Sequence, residues 1–323
     1  MQVEEELARL SPERDTLLTI GVFDGVHLGH KYLISQLTKQ ARRQNLLSGV
    51  VTFRQHPREV LSHGKALPYL TSLEERVELL KREGVDLVAA LSFSKELAQL
   101  SPRQFVGLLK KHLRLRGLVI GPDFALGRSR EGNADHLRKL GQDMDFSVTV
   151  VPPMKVNSEV ISSTAIREAL ARGDVKKVTA LIGRPFSLKG PVTTGAGRSS
   201  KQDFVPTANL DLDPKQALPA DGVYATRAYI DGTAYQALTN IGCRPTFSGS
   251  YRTIETYVLG YHGDLYGREL KIDIVERLRD EKKFDSVDEL KKQIAEDVKR
   301  GTAILNSQAG SQDKAAAKCV PGR

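Results

Sequence analysis

The pattern of short runs changes once along this chain of 323 residues, near Gly183-Arg184-Pro185. Before that point, apolar runs typical of β-strands alternate with segments of helical periodicity, which predicts a parallel sheet covered by helices on both faces. After it, Gly and Pro separate short β-type runs, which predicts a small antiparallel barrel or sandwich. We therefore expect an α/β domain over 1–185 and a β-domain over 186–305.

Strand and helix signals place the elements of both domains. In the first half, the predicted strands are 17–22, 48–53, 87–91, 117–120 and 146–151, and the predicted helices are 30–45, 72–83, 101–113, 163–172 and 175–182. In the second half, the predicted strands are 186–192, 207–211, 222–230, 233–240, 254–259 and 269–278. An apolar stripe of Leu290, Ile294 and Val298 predicts a terminal amphipathic helix over 286–303. The composition of 306–323 predicts a disordered tail.

Composition excludes several classes of protein. With 40% hydrophobic and 27% charged residues, the chain is neither disordered nor a fibrous protein. No run approaches the roughly 18 consecutive apolar residues of a membrane span, so we expect no membrane association. The first 15 residues contain four Glu and no apolar core of a signal peptide. The two cysteines, Cys243 and Cys319, lie far apart, which argues against a disulfide framework and is typical of a cytoplasmic protein.

The net charge is +9, which suits a nucleic acid or a small polyanionic substrate such as a nucleotide, or serves only solubility. The basic residues are scattered among acidic ones, and no block of Lys and Arg with interleaved aromatics occurs. We therefore do not expect nucleic acid as a partner.

One motif, Gly21 to His30, stands where the first strand ends and a helix begins. Ligands of open α/β sheets bind at this edge, and a helix N-terminus favours anions. His27 and His30, with Gly29 between them, are spaced to face one ligand while the backbone approaches it closely. Two other interpretations are a pair of ordinary turn histidines and a zinc pair, although the latter lacks a companion Cys/His cluster.

Other segments carry hydroxyl, cationic or acidic side chains at strand or helix ends. Ser162, Ser163, Thr164 and Arg167 suit a polyphosphate, or they form a simple helix cap followed by a surface arginine. The segment 121–127 is either a loop that closes over a ring or an ordinary connection. Glycines at 195 and 197 form either a phosphate loop or a flexible one. Glu255 is either a general base or the outward residue of a half-buried strand.

Taken together, these segments resemble the prokaryotic bifunctional riboflavin kinase/FAD synthetase family over roughly 17–305. The resemblance rests on many segments in the same order and spacing: 21–30, 51–61, 70–76, 121–127, 161–170, 190–198, 206–210, 219–225, 240–247, 255–259, 264–270 and 278–284. It implies a Rossmann-like nucleotidyltransferase sheet, then a small antiparallel β-barrel with a terminal helix. It also implies a chain that converts riboflavin to FMN and FMN to FAD, with ATP and Mg²⁺.

The resemblance further implies roles for individual residues. In adenylyl transfer, His27 and His30 are catalytic, and the ATP site comprises Gly21, Phe23, Asp24, His27, Gly29, His30, Asp123, Ser162, Ser163, Thr164 and Arg167. The matching flavin-binding residues are Phe53, His56, Pro57 and Arg279. In the kinase, Glu255 is the catalytic base, Thr207 and Asn209 hold the metal, and the ATP site comprises Gly190, Gly195, Gly197, Arg198, Thr207 and Asn209.

This chain departs from the family pattern in three places. Phe204-Val205 stand where a Gly-Phe pair is usual before Pro-Thr-Ala-Asn, and the stretch between Arg198 and Pro206 is longer than in many members. In the adenylyltransferase half, Leu126 stands in place of Phe and Gln55 in place of Pro. Two other functions stay open, the first of them because of Phe204. One alternative is a flavin-binding regulatory protein with one or both sites inactive. The other is a nucleotidyltransferase for another phosphate acceptor, with the second domain as a passenger.

Overall fold

The computed structural model describes residues 1–61, 67–156, 158–194, 207–246 and 249–317. By its contacts the chain divides into two compact units, 1–165 and 166–323. This division falls before the predicted domain boundary at 185, so most of the helix at 163–171 and all of the helix at 175–182 belong to the second unit.

A five-stranded parallel sheet forms the centre of the first unit, with the strand order β3-β2-β1-β4-β7. Its strands are β1 (Thr16–Ile20), β2 (Leu47–Phe53), β3 (Leu87–Leu91), β4 (Leu115–Ile120) and β7 (Ser147–Val150). Two short pairs accompany the sheet: β5 (Ala125–Leu126) with β6 (Gly132–Asn133), and β8 (Lys155–Val156) with β9 (Glu159–Val160). The predicted parallel α/β architecture is confirmed.

Helices cover both faces of this sheet. They are α1 (Gln2–Ala8), α2 (Leu28–Arg43), α3 (Pro57–Leu61), α4 (Leu73–Arg82), α5 (Lys95–Gln99), α6 (Pro102–Leu113) and α7 (Ala134–Met144). Because successive strand residues point to opposite faces, Leu17 joins the apolar cluster beneath α2 and α4, whereas Leu18 joins the one beneath α1, α6 and α7. The caps match the sequence, since Ser72 accepts from the amide of Glu75 and Ser101 forms a capping box with Gln104.

The second unit contains a closed antiparallel barrel with the strand order β10-β11-β14-β13-β12-β15. The strands are β10 (Phe186–Thr193), β11 (Ala208–Leu210), β12 (Gly222–Ile230), β13 (Thr233–Thr246), β14 (Gly249–Val258) and β15 (Glu269–Arg279). The remaining α-helices are α8 (Ser163–Ala171), α9 (Val175–Ile182) and α10 (Val287–Ala317). Of the two second-half architectures expected, the structure has the barrel.

Three threonines fix the register inside the barrel. Thr226, Thr239 and Thr256 are fully buried on adjacent strands, and their hydroxyls are linked in a chain at 2.9 Å and 3.0 Å. Each buried hydroxyl is thereby satisfied. Since Thr256 points inward, the strand pleat turns its neighbour Glu255 to the outer face.

Helix α10 continues to Ala317, so residues 306–317 are helical rather than the predicted disordered tail. The Ala, Gln and Lys content of this segment, read above as a mark of disorder, is also a composition of good helix formers. Residues 318–323 of that predicted tail, including Cys319, lie outside the described residues.

Candidate active sites

The first candidate site is built around the segment Gly21–His30, here named the histidine loop. His27 is the N-cap of α2, and its Nδ1 accepts a hydrogen bond from the amide of His30 at 3.3 Å. The two imidazoles stack with centroids 3.6 Å apart and planes 16° apart. Phe23 contacts the His30 ring edge-on at 5.1 Å. The predicted histidine pair therefore forms one stacked unit at a helix N-terminus.

The environment of His30 favours its neutral form. Its Nδ1 is buried and has no hydrogen-bond partner among the described residues. Burial, followed by the nearby His27 and the Arg76 guanidinium, holds the pKa of His30 well below its usual value of 6.5. At neutral pH the loop therefore presents an uncharged imidazole, beside the positive end of the α2 dipole.

The start of α8 approaches this loop closely. A Cβ at Gly29 would lie 3.2 Å from the His27 ring and 3.4 Å from the carbonyl oxygen of Ile161. Ser162 caps α8 by accepting from the amide of Ala165, and Ser163 donates its hydroxyl to the carbonyl of Asp24 at 3.0 Å. Of the three predicted phosphate-binding hydroxyls, that of Ser163 thus contacts the histidine loop, and Ser162 directly follows the Ile161 carbonyl near Gly29.

The other two residues of the predicted polyphosphate set lie further along the same helix. Thr164 is exposed on the first turn of α8. Arg167 follows within the part of α8 that belongs to the second unit.

Asp24, predicted to bind ATP, directs its carboxylate inward. The side chain is 2% exposed and accepts from the amides of Leu70 and Thr71 and from the Thr71 hydroxyl, at 3.0–3.2 Å. The Thr71 hydroxyl in turn accepts from the amide of Gly25. A carboxylate with this many donors organises the backbone of the histidine loop, and any contact between it and a nucleotide stays a prediction.

The predicted flavin-side residues follow β2, beside the histidine loop that follows β1. Phe53 is buried and meets Phe93, which follows β3, in an edge-to-face contact at 5.3 Å. The amide of His56 donates to the Tyr69 hydroxyl at 2.7 Å, and Pro57 begins α3. These residues therefore lie at the carboxyl edge of the parallel sheet.

Two further predicted positions border the same edge. Gly21 follows β1, and a Cβ there would lie 3.1 Å from the Phe23 ring. Asp123 follows β4 and is exposed, and its carbonyl accepts from the Arg130 guanidinium at 3.0 Å. Strands β1 and β4 are adjacent, and the chain leaves them in opposite directions, which is the switch point where such sheets bind ligands.

The second candidate site lies on the outer face of the barrel. Asn209 on β11 pairs in register with Glu255 on β14, and Glu255 pairs with Asn240 on β13. All three alternate with buried inward neighbours, and Thr207, immediately before β11, is exposed. The outer face of the barrel therefore carries the Glu255 carboxylate between the side-chain amides of Asn209 and Asn240. The Thr207 hydroxyl lies two residues before Asn209 along the chain.

The remaining kinase-side residues fall into two groups. A Cβ at Gly190 would lie 2.2 Å from the carbonyl oxygen of Asp211, so this glycine permits two backbone segments to touch. Gly195, Gly197 and Arg198, like the departures at 204–205, lie outside the described residues.

Arg279, predicted to bind the flavin, ends β15 and forms an ion pair with the buried Asp297 of α10. Its Nε and Nη2 donate to the Asp297 carboxylate at 2.8–3.1 Å, and its guanidinium lies 5.7 Å from the Phe284 ring centroid. Asp297 is 5% exposed and also accepts from Gln293. The ion pair fixes where the segment after β15 begins.

Sequence reasoning did not single out Arg76 or Asp297 as functional side chains. Arg76 is 1% exposed, and its Nη1 donates to the carbonyls of Val22 and Phe53. Arg76 lay within a segment matched to the family, yet only the three-dimensional contacts distinguish it from an exposed helix arginine. Asp297 lies on a predicted amphipathic helix, where an acidic residue is unexceptional.

A family model described as FAD synthetase matches residues 10–165, and one described as riboflavin kinase matches residues 182–305. The bifunctional riboflavin kinase/FMN adenylyltransferase of Escherichia coli K12 is 38% identical over 289 residues, covering 89% of this chain and 92% of that protein. The protein of the same name from Pseudomonas fluorescens is 36% identical, covering 96% and 99%. This chain belongs to the bifunctional riboflavin kinase/FMN adenylyltransferase family.

A solved structure named as a macrolide-efflux protein from Streptococcus pneumoniae has the same fold. It is 32% identical, has a TM-score of 0.84, and the match covers 93% of this chain and 96% of that one. In the described part of this chain, no helix is long and apolar enough to cross a membrane.

Two of the departures from the family pattern have structural partners in this family member. Gln55 accepts from the amide of Phe93 at 3.2 Å, which ties the end of β2 to the segment after β3. Leu126 is 8% exposed and packs in the core cluster that contains Phe105. Both residues therefore support the same sheet edge that carries the first site.

Proposed function

We propose that this chain makes FAD from riboflavin in two steps, one on each unit. Riboflavin and ATP give FMN and ADP on the barrel, and FMN and ATP give FAD and pyrophosphate on the parallel sheet. The observation that carries the proposal is that each of the two family models falls entirely within one of the two units. The second model also argues against a passenger domain beside a nucleotidyltransferase for another acceptor.

In adenylyl transfer, the FMN phosphate attacks the α-phosphorus of ATP, and the bond to the bridging oxygen of pyrophosphate breaks. The phosphate is already anionic, so no general base is needed, and the site must align two polyanions and stabilise charge. His27 and His30 donate to the ATP phosphates at the α2 N-terminus. Ser162, Ser163, Thr164 and Arg167 bind the outer phosphates, while Gly21, Phe23, Gly29 and Asp123 border the nucleotide.

The flavin side of that site is the segment from Phe53 to Pro57, including His56. It lies one strand away from the histidine loop, so a flavin held there presents its phosphate toward the α2 N-terminus. Asp24 fixes the backbone of this loop through its carboxylate, and it stays in the predicted ATP site.

In the kinase reaction, Glu255 removes the proton from the terminal ribityl hydroxyl, whose oxygen then attacks the γ-phosphorus. The bond between the γ-phosphorus and the bridging oxygen breaks, and ADP leaves. Gly190, Gly195, Gly197 and Arg198 lie near the nucleotide, and Arg279 lies on the flavin side. Most phosphoryl-transfer catalysis is positioning and charge neutralisation, so the residues around the phosphates matter at least as much as Glu255.

The oxygen atoms on the outer barrel face fit Mg²⁺ carried by ATP. Thr207 and Asn209 supply a hydroxyl and an amide oxygen, and Mg²⁺ typically takes one or two protein ligands plus substrate phosphates. Among the described residues, no group of three or more His, Cys, Asp or Glu is placed to hold a metal by itself. When bound, the ion neutralises charge on the phosphates. Thr207 and Asn209 orient those phosphates toward the hydroxyl beside Glu255.

The cytoplasm is the location that fits this function, since ATP is consumed in both steps. The exposed, free thiol of Cys243 is compatible with a reducing compartment. ATP, riboflavin, FMN and FAD account for the partners that the proposal requires.

The test is to incubate the purified full chain with riboflavin and MgATP and to separate the flavins by chromatography. We expect FMN to appear first and FAD to follow. If FMN forms without FAD, only the riboflavin kinase activity is supported. If FAD forms only when FMN is supplied, only the adenylyltransferase activity is supported. Unchanged riboflavin with tight flavin binding would favour the regulatory protein.

A further inference from the structure

Arg76 is a fully buried cation at the carboxyl edge of the parallel sheet. It extends from α4, and its Nη1 donates to the carbonyl of Val22 at 2.8 Å and to the carbonyl of Phe53 at 3.0 Å. Val22 lies in the histidine loop, and Phe53 begins the flavin-side segment. One guanidinium nitrogen therefore holds both sides of the transferase site.

The backbone that Arg76 holds is strained. Phe23 and Val26 adopt positive φ angles of 54° and 37°, a backbone conformation that residues other than glycine rarely adopt. Such a conformation persists only where the surroundings over-determine it, and it concentrates at functional sites. Two sets of hydrogen bonds hold the backbone in this conformation. Arg76 donates to the Val22 carbonyl just before Phe23, and the Asp24 carboxylate accepts from the amides of Leu70 and Thr71.

Packing alone does not explain an arginine at this position. A buried charge is costly, and an apolar side chain of similar volume is commonly as stabilising. Burial lowers the pKa of Arg76, and its Nε is buried with no hydrogen-bond partner in the described ranges. The Tyr69 ring lies 5.9 Å from the guanidinium carbon, and Asp24 supplies the nearby opposite charge.

We propose that Arg76 is a positioning residue for adenylyl transfer, which keeps the histidine loop and the flavin-side segment in one fixed alignment. The proposal rests on the function proposed above. Its physical basis is that the two reactants bind to different segments, so the attacking phosphate and the α-phosphorus meet correctly only if those segments do not shift. A misplacement of about 1 Å typically costs on the order of 10²-fold in rate.

The test compares Arg76→Met, which has a similar volume but lacks the charge and every N–H donor, with Arg76→Lys, which keeps the charge. Arg82→Met is the matched control, because Arg82 lies on the same helix with a side chain 73% exposed. The full chain is given FMN and MgATP, and kcat and KM for FAD formation are measured. Riboflavin phosphorylation by the same preparation is the internal standard.

For Arg76→Met we expect kcat for FAD formation to fall about 10²-fold, with KM for ATP and FMN within about threefold. Arg76→Lys should recover most of that loss, to within roughly tenfold of the parent, because its ammonium still reaches one carbonyl. The kinase reaction should change by less than about twofold in every variant, and Arg82→Met should match the parent in both reactions.

A folded Arg76→Met that forms FAD at the parental kcat overturns the proposal, as does a loss confined to KM. If Arg76→Met does not fold, the positioning role is tested with Arg76→Lys and Thr52→Val instead. Thr52 is chosen because its hydroxyl donates to the same Val22 carbonyl at 2.9 Å. Both should lower kcat, and their effects should be less than additive. Parental kcat in both would refute the role. Failure of the parent chain to form FAD would instead refute the underlying function, and the proposal with it.

Discussion

The His30 amide donates to Nδ1 of His27 while the two imidazoles stack 3.6 Å apart, so the two rings behave as one rigid unit at the start of α2. Gly29 makes room for this arrangement, because a Cβ there would lie 3.2 Å from the His27 ring. The alignment of the histidines therefore depends on a residue that has no side chain.

We predict that Gly29→Ala lowers FAD formation from supplied FMN by about 10-fold to 10²-fold, since the methyl group displaces the His27 ring or the Ile161 carbonyl. Riboflavin phosphorylation should be unchanged. Gly107→Ala in α6 is the matched control, because a Cβ there meets no heavy atom within 4 Å. Steady-state rates for both reactions check the prediction, and a parental transferase rate in Gly29→Ala would contradict it.

The lowered pKa of His30 predicts a pH dependence of stability. As pH falls through about 6.5, the unfolded chain takes up a proton that the folded His30 does not bind, so the free energy of unfolding decreases. The loss stops once pH passes below the folded pKa. Above about pH 6.5 the contribution is constant.

Urea titrations of the parent and of His30→Gln, followed by circular dichroism at several pH values between about 5 and 8, test this dependence. The free energy of unfolding of the parent should fall more than that of the variant. His136→Gln, an exposed histidine at the start of α7, should behave like the parent. A difference between parent and His30→Gln that does not change with pH would count against the lowered pKa.

The regular elements followed from the sequence because their signals are local. The hydrophobic period identified most of the predicted strands and helices to within a few residues, and Ser72 and Ser101 stand at the N-caps of α4 and α6. Strand β13 exceeded its prediction, since its pairing with β14 continues to Thr246 whatever the local propensity. Helices α1, α3, α5 and α7 and the two-residue strands were not predicted, the strands because so short a run carries no period.

The candidate sites likewise contain residues that the sequence indicates and contacts that only the structure shows. Glycines, histidines and hydroxyls at strand ends are visible in a sequence, because their positions follow from the direction of each strand. The inward turn of the Asp24 carboxylate toward Thr71 depends on contacts between residues far apart in the chain. The ion pair of Arg279 and Asp297 likewise joins a strand end to a helix face, and no local pattern indicates it.

The division of the chain predicts how the kinase can be separated. A fragment that begins at residue 166 should phosphorylate riboflavin without forming FAD. A fragment that begins at Arg184 should be less stable, because it lacks α9, whose Val178 and Ile182 are buried, and the Leu170 carbonyl that accepts from Ala220. Thermal unfolding and kinase assays compare the two. Equal stability would show that α8 and α9 do not support the barrel.

The metal ligands proposed for the kinase predict a selective effect. Asn209→Ala should raise the Mg²⁺ concentration for half-maximal riboflavin phosphorylation by at least about tenfold at fixed ATP. FAD formation from supplied FMN should keep its parental metal dependence. Thr233→Val, at the exposed start of β13, is the control. An unchanged metal dependence in Asn209→Ala would remove this residue from the metal site.

The most direct test of two independent sites is to assay both reactions in His30→Ala and in Glu255→Gln. His30→Ala should convert riboflavin to FMN normally and form FAD about 10²–10³-fold more slowly. Glu255→Gln should convert supplied FMN to FAD normally and phosphorylate riboflavin about 10²–10⁴-fold more slowly, with flavin affinity preserved. A variant that loses both reactions would contradict the assignment of one reaction to each unit. A variant that keeps both reactions at the parental rate would contradict it as well.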